Sequence, residues 1–143
     1  MEKFRYLPHT ADMQFKAYGK DFTEALENSA LALLSIMLDI KKIKKDKARP
    51  SHIAIRESAG DANDLAWFVL QDILSMVDAR QLSAFAFNVT SLKSDVRMRI
   101  EGRLSFKRTK ANYALLSVKA VTPHDLEVKS GRGRCSIRVV VDV

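Results

Sequence analysis

The chain of 143 residues is 47% hydrophobic and 29% charged, which excludes a disordered or fibrous protein. Its formal net charge of +7 favours an anionic partner such as nucleic acid or an acidic protein surface, although solubility alone explains the charge equally well. The length predicts one domain over 1–143, and no apolar run approaches the roughly 18 residues of a membrane span. The single cysteine, Cys135, excludes an internal disulfide and predicts a reducing, cytoplasmic location.

The first part of the chain predicts two strands and a helix. Residues 4–7 form a short strand candidate, and apolar and polar residues alternate over 13–18, as in a half-buried strand. A helix is expected at about 22–38, because its apolar residues fall on one helical stripe and Asp21 is a suitable cap before it.

A basic segment at 41–49 follows the first helix and is expected to be an exposed connection, since Pro50 ends it. It either steers the domain toward RNA or an acidic surface, or it is a solvated loop. We favour the loop because no aromatic residue is interleaved for base stacking. A strand follows at 53–55, and a second helix fits 62–79, with Asp61 as its cap.

After the second helix, the pattern predicts only strands. Polar and apolar residues alternate at 85–89, 96–106, 116–120, 126–128 and 135–141. Such alternation is typical of antiparallel sheets that have one face covered by helices. The predicted fold class is therefore α+β, a mostly antiparallel β-sheet structure with two main helices packed on it.

Few residues carry the chemistry of an enzyme site. The sequence has no Gly-rich phosphate loop, no Cys-x-x-Cys pair and no His-Glu-x-x-His motif. The exception is His9 and Asp12, three positions apart in an irregular segment before a strand, where a sheet presents functional groups. The alternative is that Thr10 or Asp12 only bonds local backbone amides in a turn.

A second acidic residue, Asp142, interrupts the last apolar strand beside Val143. If the first and last strands lie side by side, Asp12, Asp142 and the terminal oxygens of Val143 converge. Hard oxygen donors of this kind suit Ca²⁺ or Mg²⁺ better than zinc. His9 and His124 would then help to shape the same site.

Five short segments form a recognisable set along the chain. They are FRYLPHTAD at 4–12, AYG at 17–19, FTEA at 22–25, VKAVT at 118–122 and VVDV at 140–143. Together with His124 and Leu126, which follow the fourth segment, the set closely resembles the archease family over the whole chain. The combination is specific, whereas any one segment alone is weak.

The resemblance implies a function without a catalytic residue. Archease-family proteins are small activators of the RtcB-type tRNA-splicing RNA ligase, which joins RNA ends through a guanylylated histidine. They promote guanylylation and multiple turnover and broaden nucleotide use, and tRNA is reached through the ligase. The family binds a divalent cation, taken as Ca²⁺ with Mg²⁺ or Mn²⁺ as substitutes, and the matching ligands here are Asp12, Asp142 and Val143.

The chain departs from the family pattern at several positions. Pro123 stands where a tyrosine is common, and Arg103 and residues 107–108 are basic where acidic groups are common. Two other functions stay open on the residues alone. One is an RNA-binding or chaperone-like module, and the other is a metal-dependent hydrolase in which His9 acts as general base.

Overall fold

The computed structural model describes residues 1–8 and 12–143, and this part of the chain forms three helices and eight strands. In chain order they are β1 (Phe4–Leu7), β2 (Met13–Gly19), α1 (Phe22–Met37), α2 (Ile40–Lys45), β3 (Pro50–Ala59), α3 (Ala62–Arg80), β4 (Ser83–Ser94), β5 (Met98–Lys107), β6 (Ala120–Val121), β7 (Glu127–Gly131) and β8 (Arg134–Asp142).

The strands form two antiparallel sheets. The five-stranded sheet has the order β1-β2-β8-β6, with β7 also pairing with β8, and the three-stranded sheet has the order β3-β5-β4. Helices α1 and α3 contact strands of both sheets, so they lie between the two sheets. Every residue of α1 is buried or half-buried, as expected for a helix with a sheet on either side. The α+β class with two main helices is confirmed.

Both main helices begin where the sequence predicts. The side chain of Asp21 accepts a hydrogen bond from the Glu24 N–H at 2.9 Å, and Asp61 accepts one from the Asp64 N–H at 2.8 Å. These bonds satisfy N–H groups that have no partner inside the helix. No helix in the described part of the chain is long and apolar enough to cross a bilayer.

The basic segment is not simply a loop, and that prediction was wrong for its first half. Ile40–Lys45 forms α2, whose Lys42 N–H is capped by the Asp39 carboxylate at 3.2 Å. The side chain of Ile43 is fully buried and anchors the helix to the core. A single buried residue thus orders a segment whose other side chains are mostly charged.

Two strand predictions were too long. Val96 is 97% exposed in the turn between β4 and β5. Around Leu116, the chain does not join a sheet, because its backbone bonds instead to the end of α1. The Leu115 N–H donates to the Met37 carbonyl at 2.8 Å. Of the predicted 116–120 strand, Ala120 alone lies in a strand of the described chain, the two-residue β6 that continues to Val121.

Candidate functional site

Asp12 and Asp142 lie at the same end of two adjacent strands. Asp12 directly precedes β2, and Asp142 is the last residue of β8. The register between these antiparallel strands pairs Met13 with Val141, so the residue before Met13 and the residue after Val141 are neighbours at the end of the ladder. Asp142 is exposed and Asp12 is half-exposed, so both carboxylates can reach a ligand from solvent.

The other side of β8 is held by the short strand β6. The Lys119 N–H donates to the Asp142 carbonyl at 2.7 Å, and the Thr122 N–H donates to the Val140 carbonyl at 2.9 Å. The VKAVT segment singled out in the sequence therefore fixes the backbone of Asp142. Val143 follows Asp142 directly, and its side chain is half-buried against the core. Its main chain therefore lies at the same end of the sheet as Asp12 and Asp142.

Two side chains of α3 complete this arrangement, and sequence reasoning missed them. The Trp67 indole N–H donates to the Val121 carbonyl at 2.7 Å, and the Gln71 carbonyl oxygen accepts from the Val121 N–H at 3.1 Å. Trp67 and Gln71 are four residues apart and so lie on one helix face. They take the place of a further strand at the open edge of β6. The sequence signal for this contact is that two residues able to form side-chain hydrogen bonds, Trp67 and Gln71, lie four positions apart in a mostly apolar helix.

The donors at this end are oxygens, which fit a hard divalent cation. Carboxylates and main-chain carbonyls are the usual ligands of Ca²⁺, whereas zinc prefers nitrogen and sulfur. Over residues 1–8 and 12–143, no group of three or more His, Cys, Asp and Glu side chains is arranged to hold a metal ion. A cation here therefore needs main-chain oxygen, such as that of Val143, besides the two aspartates.

One of the two histidines named in the sequence lies outside the described residues, and the other is exposed in a turn. His9 lies outside the described residues, as do Thr10 and Ala11 of the same motif. His124 is exposed in the turn between β6 and β7. Their proposed part in shaping the metal site stays a prediction.

Other candidate chemical groups in the chain have structural roles. Cys135 is buried, and burial raises the pKa of its thiol, so it is protonated and inert at neutral pH. His52 lies on the exposed side of β3, with its Nδ1 3.1 Å from the Ser105 hydroxyl. Neither residue lies at the Asp142 end of the sheet.

Comparison with known proteins gives whole-length matches. The model of the archease protein family matches residues 4–143. Protein archease of Methanosarcina barkeri is 30% identical in a 148-residue alignment that covers 99% of this chain and 97% of that protein. Protein archease of Sulfurisphaera tokodaii is 26% identical, with 100% of both chains covered.

Two solved structures share the fold. The solution structure of protein 1598 of Methanobacterium thermoautotrophicum matches with a TM-score of 0.79 and 26% identity, over 100% of both chains. The crystal structure of an archease from Thermotoga maritima, described as a possible chaperone, matches with a TM-score of 0.59 and 17% identity, over 96% of this chain and 94% of that one.

Proposed function

Because the chain belongs to the archease family, we propose that it is a non-catalytic activator of an RtcB-type tRNA-splicing RNA ligase. It promotes guanylylation of the ligase histidine, supports multiple turnover and broadens nucleotide use. The observation that carries this proposal is the family match over residues 4–143, which includes both segments that bear the candidate ligands.

The proposed activator uses a divalent cation, with Ca²⁺ as the best match. Asp12 and Asp142 would hold it with their carboxylates, and Val143 would add a main-chain oxygen. The adjacency of β2 and β8 supports this ligand set, because it brings the two aspartates to one end of the sheet. When bound, the cation supplies positive charge that neutralises anionic groups of the ligase or its nucleotide.

The chain's own residues keep this end of the sheet in one geometry. The Lys119 N–H fixes the carbonyl of Asp142 on one side of β8, and β2 pairs along the other side. A preorganised surface loses little conformational entropy when it binds a partner. By contacting the guanylylation-competent form of the ligase more tightly than other forms, it raises the population of that form.

The test is single-turnover guanylylation of the purified ligase with GTP, with and without this protein. We expect the protein to accelerate guanylylation, and Asp12→Asn and Asp142→Asn to lower that acceleration at least about tenfold while circular dichroism stays unchanged. Asp78→Asn is the matched control, because Asp78 is an exposed aspartate at the far end of α3. Full stimulation by both site variants would refute the role of this end.

Cation binding has a readout that does not depend on the ligase. A ligand that binds only the folded state at about 100 times its dissociation constant stabilises by about 2.7 kcal/mol. For a domain of this size, that raises the unfolding midpoint by roughly 8 °C. We expect Ca²⁺ to produce such a rise for the parent and for Asp78→Asn, and none for Asp142→Asn.

The same purified protein, ligase and nucleotide also distinguish two alternative functions. A metal-dependent hydrolase would release product from nucleotide or RNA without any ligase, and this would depend on His9 as general base. A simple RNA-binding or chaperone-like module would leave the guanylylation rate unchanged.

A further inference from the structure

The exposed face of the five-stranded sheet carries three basic side chains side by side. Arg5 of β1 pairs with Lys16 of β2, and Lys16 pairs with Arg138 of β8. Residues directly opposite in an antiparallel ladder share one face, with Cβ atoms about 4.5–5.5 Å apart. Like charges in such positions repel one another and destabilise the sheet.

Acidic neighbours do little to neutralise this row. Glu2 pairs with Arg5 at 2.6 Å, and Glu127, which lies opposite Arg138, pairs with Lys129 at 3.3 Å. Among the residues that the structure describes, neither Lys16 nor Arg138 has a carboxylate within ion-pair distance. The centre of the row is therefore left with two adjacent positive charges.

Two other basic clusters of the chain have structural explanations. On the three-stranded sheet, Arg56 pairs with Glu101 and Arg99 pairs with Asp95, both at 2.8 Å. The lysines of α2 include three in its last turn, where positive charge is favourable to the helix dipole. The Lys16–Arg138 pair at the centre of the row lacks such a partner, and locally unfavourable features of this kind concentrate at functional sites.

An aromatic ring lies beside the row. Tyr18 occupies the next position on the same face of β2, half-buried, with the Lys16 Nζ 5.9 Å from its ring centroid. A groove of about 530 Å³ runs past both. Lys129 and Arg134 also line it, as does Glu2, whose carboxylate is paired with Arg5. An aromatic surface combined with cations in a groove is the usual device for binding single-stranded nucleic acid, with a base on the ring and phosphates on the cations.

We propose that this face binds single-stranded RNA, with Lys16 and Arg138 on the phosphate backbone and Tyr18 against a base. The choice of RNA over DNA rests on the proposed function. Asp142 lies on the same face of β8 as Arg138, four residues along the strand, which is about 14 Å at 3.4 Å per residue. The RNA surface and the candidate cation site are therefore neighbours that do not overlap.

The test is fluorescence anisotropy of a labelled oligouridylate of about 20 nucleotides with the protein alone, without ligase or Ca²⁺. We expect Lys16→Gln/Arg138→Gln to lower the affinity about 10- to 100-fold. It should also flatten the plot of log affinity against log salt by about 1.4, because each phosphate contact on a single strand contributes about 0.7. The matched control, Lys41→Gln/Lys45→Gln on α2, removes the same charge and should change the affinity less than about threefold.

Thermal stability gives a second readout. If the basic row served the fold, removing its charges would lower stability, whereas a row kept for binding should gain stability when its charges are removed. Removing like-charge repulsion should raise the unfolding midpoint of Lys16→Gln/Arg138→Gln at low salt, and the rise should disappear in about 1 M salt. If the double variant binds RNA more weakly and is also more stable than the parent, the row has a binding role. A double variant that loses stability at low salt shows that the row serves the fold and overturns the proposal.

Tyr18→Leu separates RNA from an acidic polypeptide. Stacking of one base on an aromatic ring corresponds to about 5- to 150-fold in affinity, so this variant should lose that much affinity for oligouridylate. Equal loss for the α2 control contradicts the assignment, as does polyglutamate binding that matches RNA binding and ignores Tyr18→Leu. Because ligase is absent, a negative result leaves the proposed activator function untouched.

Discussion

Trp67 and Gln71 of α3 form a clamp on β6 through their two hydrogen bonds to the Val121 backbone. This clamp gives the most specific prediction about the fold near the candidate site. Trp67→Phe keeps a ring at the position but removes the N–H that donates to the Val121 carbonyl at 2.7 Å. Val121 is 1% exposed, so its carbonyl is left without a partner where water has little access. A buried polar group left unsatisfied costs about 1 to 3 kcal/mol.

We therefore expect Trp67→Phe to lower the free energy of unfolding by about 2 kcal/mol. For a domain of this length, that corresponds to an unfolding midpoint about 6 °C lower. Gln71→Leu removes the acceptor for the Val121 N–H at 3.1 Å and should cost about 1 kcal/mol. Gln71→Glu is the matched control, because it keeps an acceptor oxygen at the same reach.

The assay is urea unfolding followed by circular dichroism, with amide hydrogen exchange at Val121 as the local readout. Exchange at Val121 should accelerate more than exchange at Val139, which lies inside β8, because the change loosens one edge rather than the whole fold. Unchanged midpoints and unchanged exchange in both Trp67→Phe and Gln71→Leu would refute the clamp.

Three further predictions concern other parts of the fold. Gly19→Ala should destabilise by about 2 kcal/mol or more in thermal unfolding, because a Cβ there would lie 2.8 Å from the Glu24 carbonyl carbon of α1. Ile43→Ala should cost about 3 kcal/mol through the cavity under α2, whereas an undetectable loss in urea unfolding would contradict its anchoring role. Burial, followed by the neighbouring Glu57 carboxyl, raises the pKa of Asp72 to about 7. The folded state then holds a proton that the unfolded state loses above about pH 4, so stability falls as pH rises from 4 to 7. Asp72→Asn should raise the free energy of unfolding at pH 8 by roughly 1 to 2 kcal/mol. This is less than the full pKa difference implies, because the carboxyl is only half-buried and solvent screens it. Below pH 4 the substitution should give no gain in stability.

The elements that could be predicted from sequence are those whose signals are local. Asp21 and Asp61 cap the two long helices, and the apolar stripes that follow are long enough to exclude other structures. Helix α2 escaped prediction because it has six residues and one buried side chain, Ile43, among lysines. Its stability comes from tertiary packing, which a local pattern does not record.

The candidate site depends on pairing between segments that are distant in the chain. The sequence indicates that Asp12 and Asp142 are acidic residues next to strands, but their proximity arises from the register of β2 with β8. The helical spacing of Trp67 does not distinguish it from a core residue, and the position of Val121 in the fold shows that its indole N–H has a partner. Non-local strand pairing and helix-to-strand contacts are thus what the sequence alone leaves open.

The proposed activity is stimulation of an RNA ligase through the end of the sheet that carries Asp12 and Asp142. The most direct measurement counts the RNA ligation events per ligase molecule, with cognate RtcB-type ligase, GTP and RNA ends, in the presence and absence of the protein. We predict many turnovers with the parent protein and about one with Asp142→Asn or with no protein. Equal turnover numbers with and without the parent protein would contradict the claim.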